Sequence, residues 1–208
     1  MLAIGHDLKT PLARMRLRLD DGEVDPEVRE GLDHDIEEMR MLLDSIQAYV
    51  DTGGANIPAE RIDLAVMAET LVDTAADRGA NATYSGLSSL EIMARPVSIR
   101  RALSNLIENA LHYGGNVRVS LRRDGGAAEI TVDDDGPGIP EDRITDALQP
   151  FVRLDSSRAR DTAGMGLGLP IVRKAVRLEG GTLDLRNRAE GGLRATIRLP
   201  LELSLIHI

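Results

Sequence analysis

The stretch IGHDLKTPLARM, residues 4–15, sets the imidazole of His6 beside the carboxylate of Asp7, with the hydroxyl of Thr10 one helical turn further on and Pro11 directly after it. An imidazole nitrogen is a nucleophile or proton carrier near neutral pH, and an adjacent carboxylate selects which of its two nitrogens is free to react. A lone His-Asp pair is weak evidence, so its meaning depends on what the rest of the chain supplies. Further on, NLIENALHYGG carries two amides, Asn105 and Asn109, spaced four apart so that both project from one face of a helix. Neutral amide oxygens suit Mg2+ delivered with a nucleotide, whose phosphates already provide most of the negative charge. Taken alone, the pair reads at least as readily as ordinary polar surface.

In DDDGPGIP, residues 133–140, Gly136 and Gly138 follow a strand pattern and permit a sharp turn close to a ligand. Asp135 is expected there to accept a hydrogen bond from an exocyclic amine such as the adenine N6. A calcium loop competes for three aspartates but lacks the later ligands and the closing glutamate, and a plain surface turn would look the same. GMGLGLPIV places Gly164, Gly166 and Gly168 directly before an apolar helix, where free N–H groups and the helix dipole favour an anion. This is neither a Walker loop nor a convincing dinucleotide fingerprint. Between the two glycine runs lies LQPFVRLDSSRARDTA, where Arg153, Arg158 and Arg160 are within reach of a phosphate. Phe151, the sole phenylalanine, either pins a lid over the site or anchors core.

These groups need elements to position them. Leu8, Leu12, Met15 and Leu19 recur at steps of four and three, and after DDGEVDP the rhythm resumes through Val28, Leu32, Ile36, Met39, Leu43, Ile46 and Val50. That pattern predicts two amphipathic helices joined as a hairpin, whose apolar seams are most simply covered by a second hairpin in a symmetric four-helix bundle. Packing of the hairpin on its own chain is the alternative. DTGGANIP breaks the period and reads as a linker. Beyond it, helices are predicted over 64–78, 97–111 and 167–179, and strands over 91–94, 117–122, 129–132, 182–185 and 195–199, with NRAEGGL joining the last two as a hairpin. The expectation is a mixed sheet with helices on one face, an α+β sandwich.

Composition narrows the chemistry. With 208 residues, 42% of them hydrophobic, the chain can bury a real core. A net charge of −9 and a pI near 5.0 disfavour nucleic acid or an anionic membrane surface as main partner. The absence of cysteine excludes disulfides, thiolate nucleophiles and cysteine-ligated metals, and His6, His34, His112 and His207 show no zinc spacing. No apolar run approaches the roughly 20 residues of a membrane helix. Met1 stands only five residues before His6 and reads as a truncation within a helix, while the final LSLIHI reads as a translated sequencing-adaptor scar and is set aside.

Taken in order, HDLKTP, NLIENALHYG, DDGPGI, PFVR and GMGLGLPIV resemble the H, N, G1, F and G2 boxes of bacterial two-component sensor histidine kinases, across essentially residues 2–200. DIEEMRMLLDSIQAYVDTG and QPFVRLDSSR look most like the EnvZ-type osmosensor branch. The resemblance implies an α+β chain: a dimerisation and phosphotransfer hairpin over residues 1–52, a linker over 53–60, and a Bergerat-type (GHKL) ATP-binding domain over 61–202. It implies ATP and Mg2+, with His6 as phosphoacceptor, Asp7 as general base and Thr10 orienting water for dephosphorylation. Asn109 would be the principal Mg2+ ligand with Asn105 beside it, Asp135 would read adenine, and His112 and Tyr113 would lie along the nucleotide. Gly136, Gly138, Ile139, Phe151, Arg153, Arg158, Gly164, Gly166, Leu167, Gly168 and Leu169 would complete the pocket and its lid. The implied partners are a second copy through the hairpin and the receiver domain of a response regulator. The segment itself would be cytoplasmic without membrane contact, below a transmembrane sensor in the inner membrane. Two departures stand out: His112 replaces the frequent Lys or Arg, and Met165 the frequent Thr or Ser. A degenerate nucleotide-binding scaffold and a gyrase- or Hsp90-like ATPase are the alternatives.

Overall fold

The computed structural model describes Met15, Asp25, Ile36, Met39, Leu43 and residues 28–33, 57–152 and 166–201. Residues 28–33 are helical, as are Met15, Ile36, Met39 and Leu43, in keeping with the sequence period. The rest of the expected hairpin lies outside the described residues, including His6, Asp7 and Thr10.

The C-terminal part begins with strand β1 (Glu60–Asp63), which turns at once into helix α1 (Leu64–Asp77). Asp63 makes that junction: its carboxylate accepts from the N–H groups of Ala65 (3.0 Å) and Val66 (3.3 Å), which lack partners inside the helix. It also accepts from Ser89 Oγ (2.6 Å) and Leu90 N (3.1 Å), so one side chain ties the helix start to the chain entering the next strand but one. The Ser89 hydroxyl, followed by the backbone donors, holds this carboxyl below the usual range. Asp63→Ala is expected to lower stability by about 1–2 kcal/mol at pH 7. Because the folded pKa is depressed, that contribution is complete above the unfolded value of about 4 and is lost as pH falls toward the folded one. The gap between wild-type and variant melting temperatures should therefore narrow on acidification below pH ~4.

Strand β2 (Asn81–Gly86) and strand β3 (Glu91–Ala94) follow, then helix α2 (Pro96–Gly114), strand β4 (Asn116–Asp124) and strand β5 (Ala127–Asp133). A 3-10 turn (Glu141–Arg143) runs into the short helix α3 (Ile144–Ala147), and helix α4 (Gly168–Leu178) precedes strands β6 (Thr182–Asn187) and β7 (Leu193–Pro200). The five-stranded sheet has the order β2-β4-β5-β7-β6, with β2 parallel to β4 and every other neighbour antiparallel. β1 and β3 form a separate antiparallel pair.

Alternation along the strands separates two faces. Val117, Val119 and Leu121, then Ala128, Ile130 and Val132, then Ala195, Ile197 and Leu199 are buried. They join Leu64, Ala68 and Val72 of α1, Ile99, Leu103 and Leu106 of α2, and Val172 and Val176 of α4 in one core. The intervening residues form rows of paired charge on the open face, such as Arg118 opposite Asp133 and Asp133 opposite Arg194. The mixed sheet with helices on one face is as expected from the sequence. β1 and β2 are additions: β1 starts within the stretch assigned to the linker, and NATYSG in β2 offers too little apolar alternation to announce a strand at the sheet edge.

Glu179 ties the end of α4 to the start of α2. It is 2% exposed just past α4 and accepts from the Arg95 N–H (3.2 Å) at the start of α2. Arg95 adds a guanidinium contact to the same oxygen at 3.4 Å, and its Nε donates to Ile57 O (3.0 Å) in the chain ahead of β1.

Candidate functional site

α2 is built to present one polar stripe. Pro96 occupies its first turn, where the missing N–H costs nothing, and Ile99, Leu103, Leu106, Ile107 and Ala110 are buried at helical spacing. Gly115, at φ 70°, ends it in the left-handed conformation. The helix runs one turn beyond the length expected from sequence, which puts His112 and Tyr113 on it. Their rings meet edge to face at 4.6 Å, and Tyr113 is half exposed.

Asn105 and Asn109 lie where the start of α4 meets α2. A Cβ at Gly168 would stand 3.2 Å from Asn109 Nδ2, 3.3 Å from Asn109 Oδ1 and 3.4 Å from Asn105 Oδ1. A side chain there would press on the two amides, which would have to give by a few tenths of an ångström. Asn105 Nδ2 donates to Arg101 O (2.9 Å), which leaves its oxygen toward the junction. Among the described residues no side chain caps α4, so the N–H groups of Gly168 and Leu169 and the positive dipole end are available to an anion. Leu167 is buried beneath this helix start and Leu169 packs against the core, so both shape the site from behind.

At the other end of the stripe, the loop after β5 packs on the last turn of α2. A Cβ at Gly114 would approach Asp134 Cβ to 2.7 Å, and one at Gly136 would approach Tyr113 O to 2.9 Å. Asp134 is 7% exposed; its Oδ1 accepts from Gly136 N (2.8 Å) and Leu193 N (3.0 Å). Its own N–H donates to Leu193 O (3.0 Å), and Gly192, at φ 90°, passes directly against its carbonyl. Oδ2 has no hydrogen bond among the described residues. Gly138, at φ 73°, sits against the Asn187 amide, which brackets Ile139 by accepting from its N–H (2.8 Å) and donating to its carbonyl (2.6 Å).

Asp135, the carboxylate expected to read adenine, is elsewhere. It receives two bonds from Arg118 (2.5 and 2.9 Å), one from Arg188 (2.6 Å) and one from Asn116 Nδ2, on the face of the sheet opposite the helices. Arg118 first, then Asn116 and Arg188, hold its carboxyl far below the usual carboxylate range. The carboxylate that lies against the last turn of α2 is therefore Asp134 rather than Asp135, on a strand parity the sequence already contains. Ala128, Ile130 and Val132 point to the helices, and the same alternation carries Asp134 inward and Asp135 outward.

Phe151 is 60% exposed at φ 66°, so it is not a core anchor. That left-handed conformation costs an L residue about 1–2 kcal/mol and is held partly by the bond from Phe151 N to Gly166 O (3.2 Å). Gly166, at φ 65°, lies flush on the Val152 backbone. Arg153, Arg158, Arg160 and Gly164 lie outside the described residues, as do His6, Asp7 and Thr10. Among the described residues no group of three or more His, Asp or Glu is placed to hold a metal. The polar set at the junction is thus two amides and a helix start, which fits a cation that arrives with phosphate rather than one caged by protein. Asn116, Asp134, Arg188, Asn187 and Gly192 are contributors that the sequence reading did not name.

Residues 94–203 match the family of histidine kinase-, DNA gyrase B-, and HSP90-like ATPases. A sensor histidine kinase of Pseudomonas aeruginosa, GtrS, is 36% identical over 198 residues, spanning 95% of this chain and 41% of its own length. The Escherichia coli sensor protein RstB is 33% identical over 220 residues, spanning 95% of this chain and 47% of its own. The chain thus spans less than half the length of these relatives. Among solved structures, the histidine kinase domain of the Escherichia coli osmosensor EnvZ is 33% identical with TM-score 0.54, covering 73% of this chain and 94% of that one. Full-length ShkA in complex with AMPPNP shares the fold at TM-score 0.78 and 22% identity, over 98% of this chain and 46% of that one.

Proposed function

Since the chain belongs to the sensor histidine kinases of bacterial two-component systems, we propose that its C-terminal domain binds Mg-ATP and delivers the terminal phosphoryl group to His6. The observation that carries this reading is the convergence on one helix, α2, of the Asn105–Asn109–Gly168 junction near its middle and the Asp134 carboxylate at its end.

Asp134 Oδ2 accepts from the exocyclic amine of adenine, while Oδ1 stays bound to the backbone; Tyr113 lies beside the base. The phosphates extend along α2 toward the first-turn amides of α4, with Gly166 and Gly168 leaving room for them and Arg153 and Arg158 as further cationic contacts. Asn109, with Asn105 beside it, would hold Mg2+, which neutralises phosphate charge when bound. In the transfer, His6 Nε2 attacks the γ-phosphorus in line, a bond forms from nitrogen to phosphorus, and the bond to the bridging oxygen of ADP breaks. Asp7 orients the ring through Nδ1–H and accepts that proton as charge develops. The phosphoryl group then passes to an aspartate on a response-regulator receiver domain, and Thr10 orients water for the reverse duty of clearing that phosphoaspartate.

Val28, Leu32 and Met39, at helical spacing, are 52%, 40% and 42% exposed in the single chain, an apolar seam suited to a second copy. No described helix is long and apolar enough to cross a membrane. The signal would come from a membrane-anchored sensor portion of a longer protein, with this segment on the cytoplasmic side.

The test is incubation of the full chain with Mg2+ and γ-labelled ATP. Acid-labile, alkali-stable label on the protein is expected; steady release of phosphate without a phosphoprotein would instead mark a gyrase- or Hsp90-like ATPase.

A further inference from the structure

Behind the loop that carries Asp134, the open face of the sheet holds a second cluster that the phosphotransfer chemistry does not use. Arg194 is committed to Asp133, through bonds of 2.8 and 2.6 Å. Arg118 turns to Asp135, as does Arg188, which also has longer contacts of 3.8 Å to Asp133 and to Glu190; what the two hold is more than a carboxylate. Arg188, whose side chain is 14% exposed, sends the same nitrogen to Asp135 Oδ1 (2.6 Å) and to the carbonyl oxygen of Asp134 (2.7 Å). Asn116 closes the other side, donating to Asp135 Oδ2 and accepting from Asp135 N (3.1 Å).

The peptide unit between Asp134 and Asp135 is therefore gripped at its oxygen by Arg188 and at its nitrogen by Asn116. The preceding N–H of Asp134 is fixed on Leu193 O. Two N–H groups hold Oδ1, and the main chain that carries the side chain is held on both sides, so the direction of Oδ2 depends on both sets of bonds. Arg118 contributes by pinning both oxygens of Asp135, so that the keystone carboxylate cannot rotate away from Arg188.

We propose that Arg118, Asn116, Asp135 and Arg188 form a clasp on the outer face of the sheet that sets base selectivity in the pocket on the inner face, acting as positioning residues through the Asp134–Asp135 peptide. This rests on the reading of Asp134 as the group that recognises adenine. An acceptor aimed at a 6-amino group discriminates against a 6-oxo purine only while its direction is maintained. An ion-pair cluster that merely decorates a surface would affect stability a little and selectivity not at all.

The experiment measures binding of ATP and of inosine triphosphate to the full chain by calorimetry, alongside thermal melting. Asp135→Ala and Arg188→Met are each expected to weaken ATP binding roughly tenfold while changing the inosine nucleotide less than about twofold, as for other outer-shell supports. The double variant should be no weaker than either single one, because both act through one peptide. Asp135→Asn, which keeps an acceptor for Arg188, should recover most of the preference. Arg122→Met, which removes a guanidinium bonded to Glu129 at 2.8 Å on the same face but further along the strand, should shift melting without altering the ratio. Wild-type ATP affinity in Asp135→Ala and Arg188→Met, or equal weakening of both nucleotides, overturns the clasp while leaving the pocket intact, provided Asp134→Asn does lose ATP. If Asp134→Asn binds ATP normally, the pocket reading itself falls and the clasp with it.

Discussion

Asp134→Asn is expected to weaken ATP binding by about two orders of magnitude, which corresponds to about 2.7 kcal/mol. A hydrogen bond to an ionised carboxylate contributes about 1.5–3 kcal/mol, and the substitution also turns an amide donor toward the donor on the base. The fold should hardly notice. Asparagine can keep its oxygen on the N–H groups of Gly136 and Leu193, now bonded to Oδ1 at 2.8 and 3.0 Å, so the loss is confined to the second oxygen. Inosine triphosphate, whose 6-oxo group accepts, should bind the variant better relative to ATP than it binds the wild type. Titration of both nucleotides decides this: a variant that binds ATP within about threefold of wild type would remove Asp134 from base recognition.

The second large effect concerns the other end of the reaction. His6→Ala is expected to take up no acid-labile phosphate while binding ATP like the wild type, because the proposed acceptor stands far in sequence from the residues proposed to bind the nucleotide. A phosphoryl group on nitrogen hydrolyses in acid and survives alkali, whereas esters of Thr10 or of serine behave the other way, so lability identifies the acceptor without sequencing. His34, His112 and His207 remain in the variant as internal controls. Label retained by His6→Ala with phosphohistidine lability would move the acceptor to one of them.

The helices and central strands were legible because burial imposes a period on sequence. α2 shows its start in Pro96 and its face in Ile99, Leu103, Leu106 and Ala110, and β4, β5 and β7 alternate cleanly. β1 and β2 were not, since the former buries only Ile62 and the latter no side chain fully, leaving nothing for a pattern to register. The Asn105–Asn109 pair was legible as a shared face, and the structure adds that Gly168 lies against it. That Asp134 rather than Asp135 turns toward α2 was missed for a different reason. Glycines explain why the loop comes close, but only the parity of β5 says which aspartate faces in. Asn187 and Gly192 were legible only as parts of the NRAEGGL hairpin: their contacts are with Ile139 and Asp134, residues brought beside them by the β5–β7 and β6–β7 ladders. The expected roles of His6, Asp7, Thr10, Arg153, Arg158 and Gly164 fall outside the described residues.

At about 1.5 Å per residue, the 19 residues of α2 make a rod about 28 Å long. Arg95, the residue just before its first turn, donates to Ile57 O in the segment preceding β1, while its last turn lies against the loop that carries Asp134. Were the segment upstream of β1 displaced, a helix that behaves as one rigid body would carry the displacement as a tilt to the loop that holds Asp134.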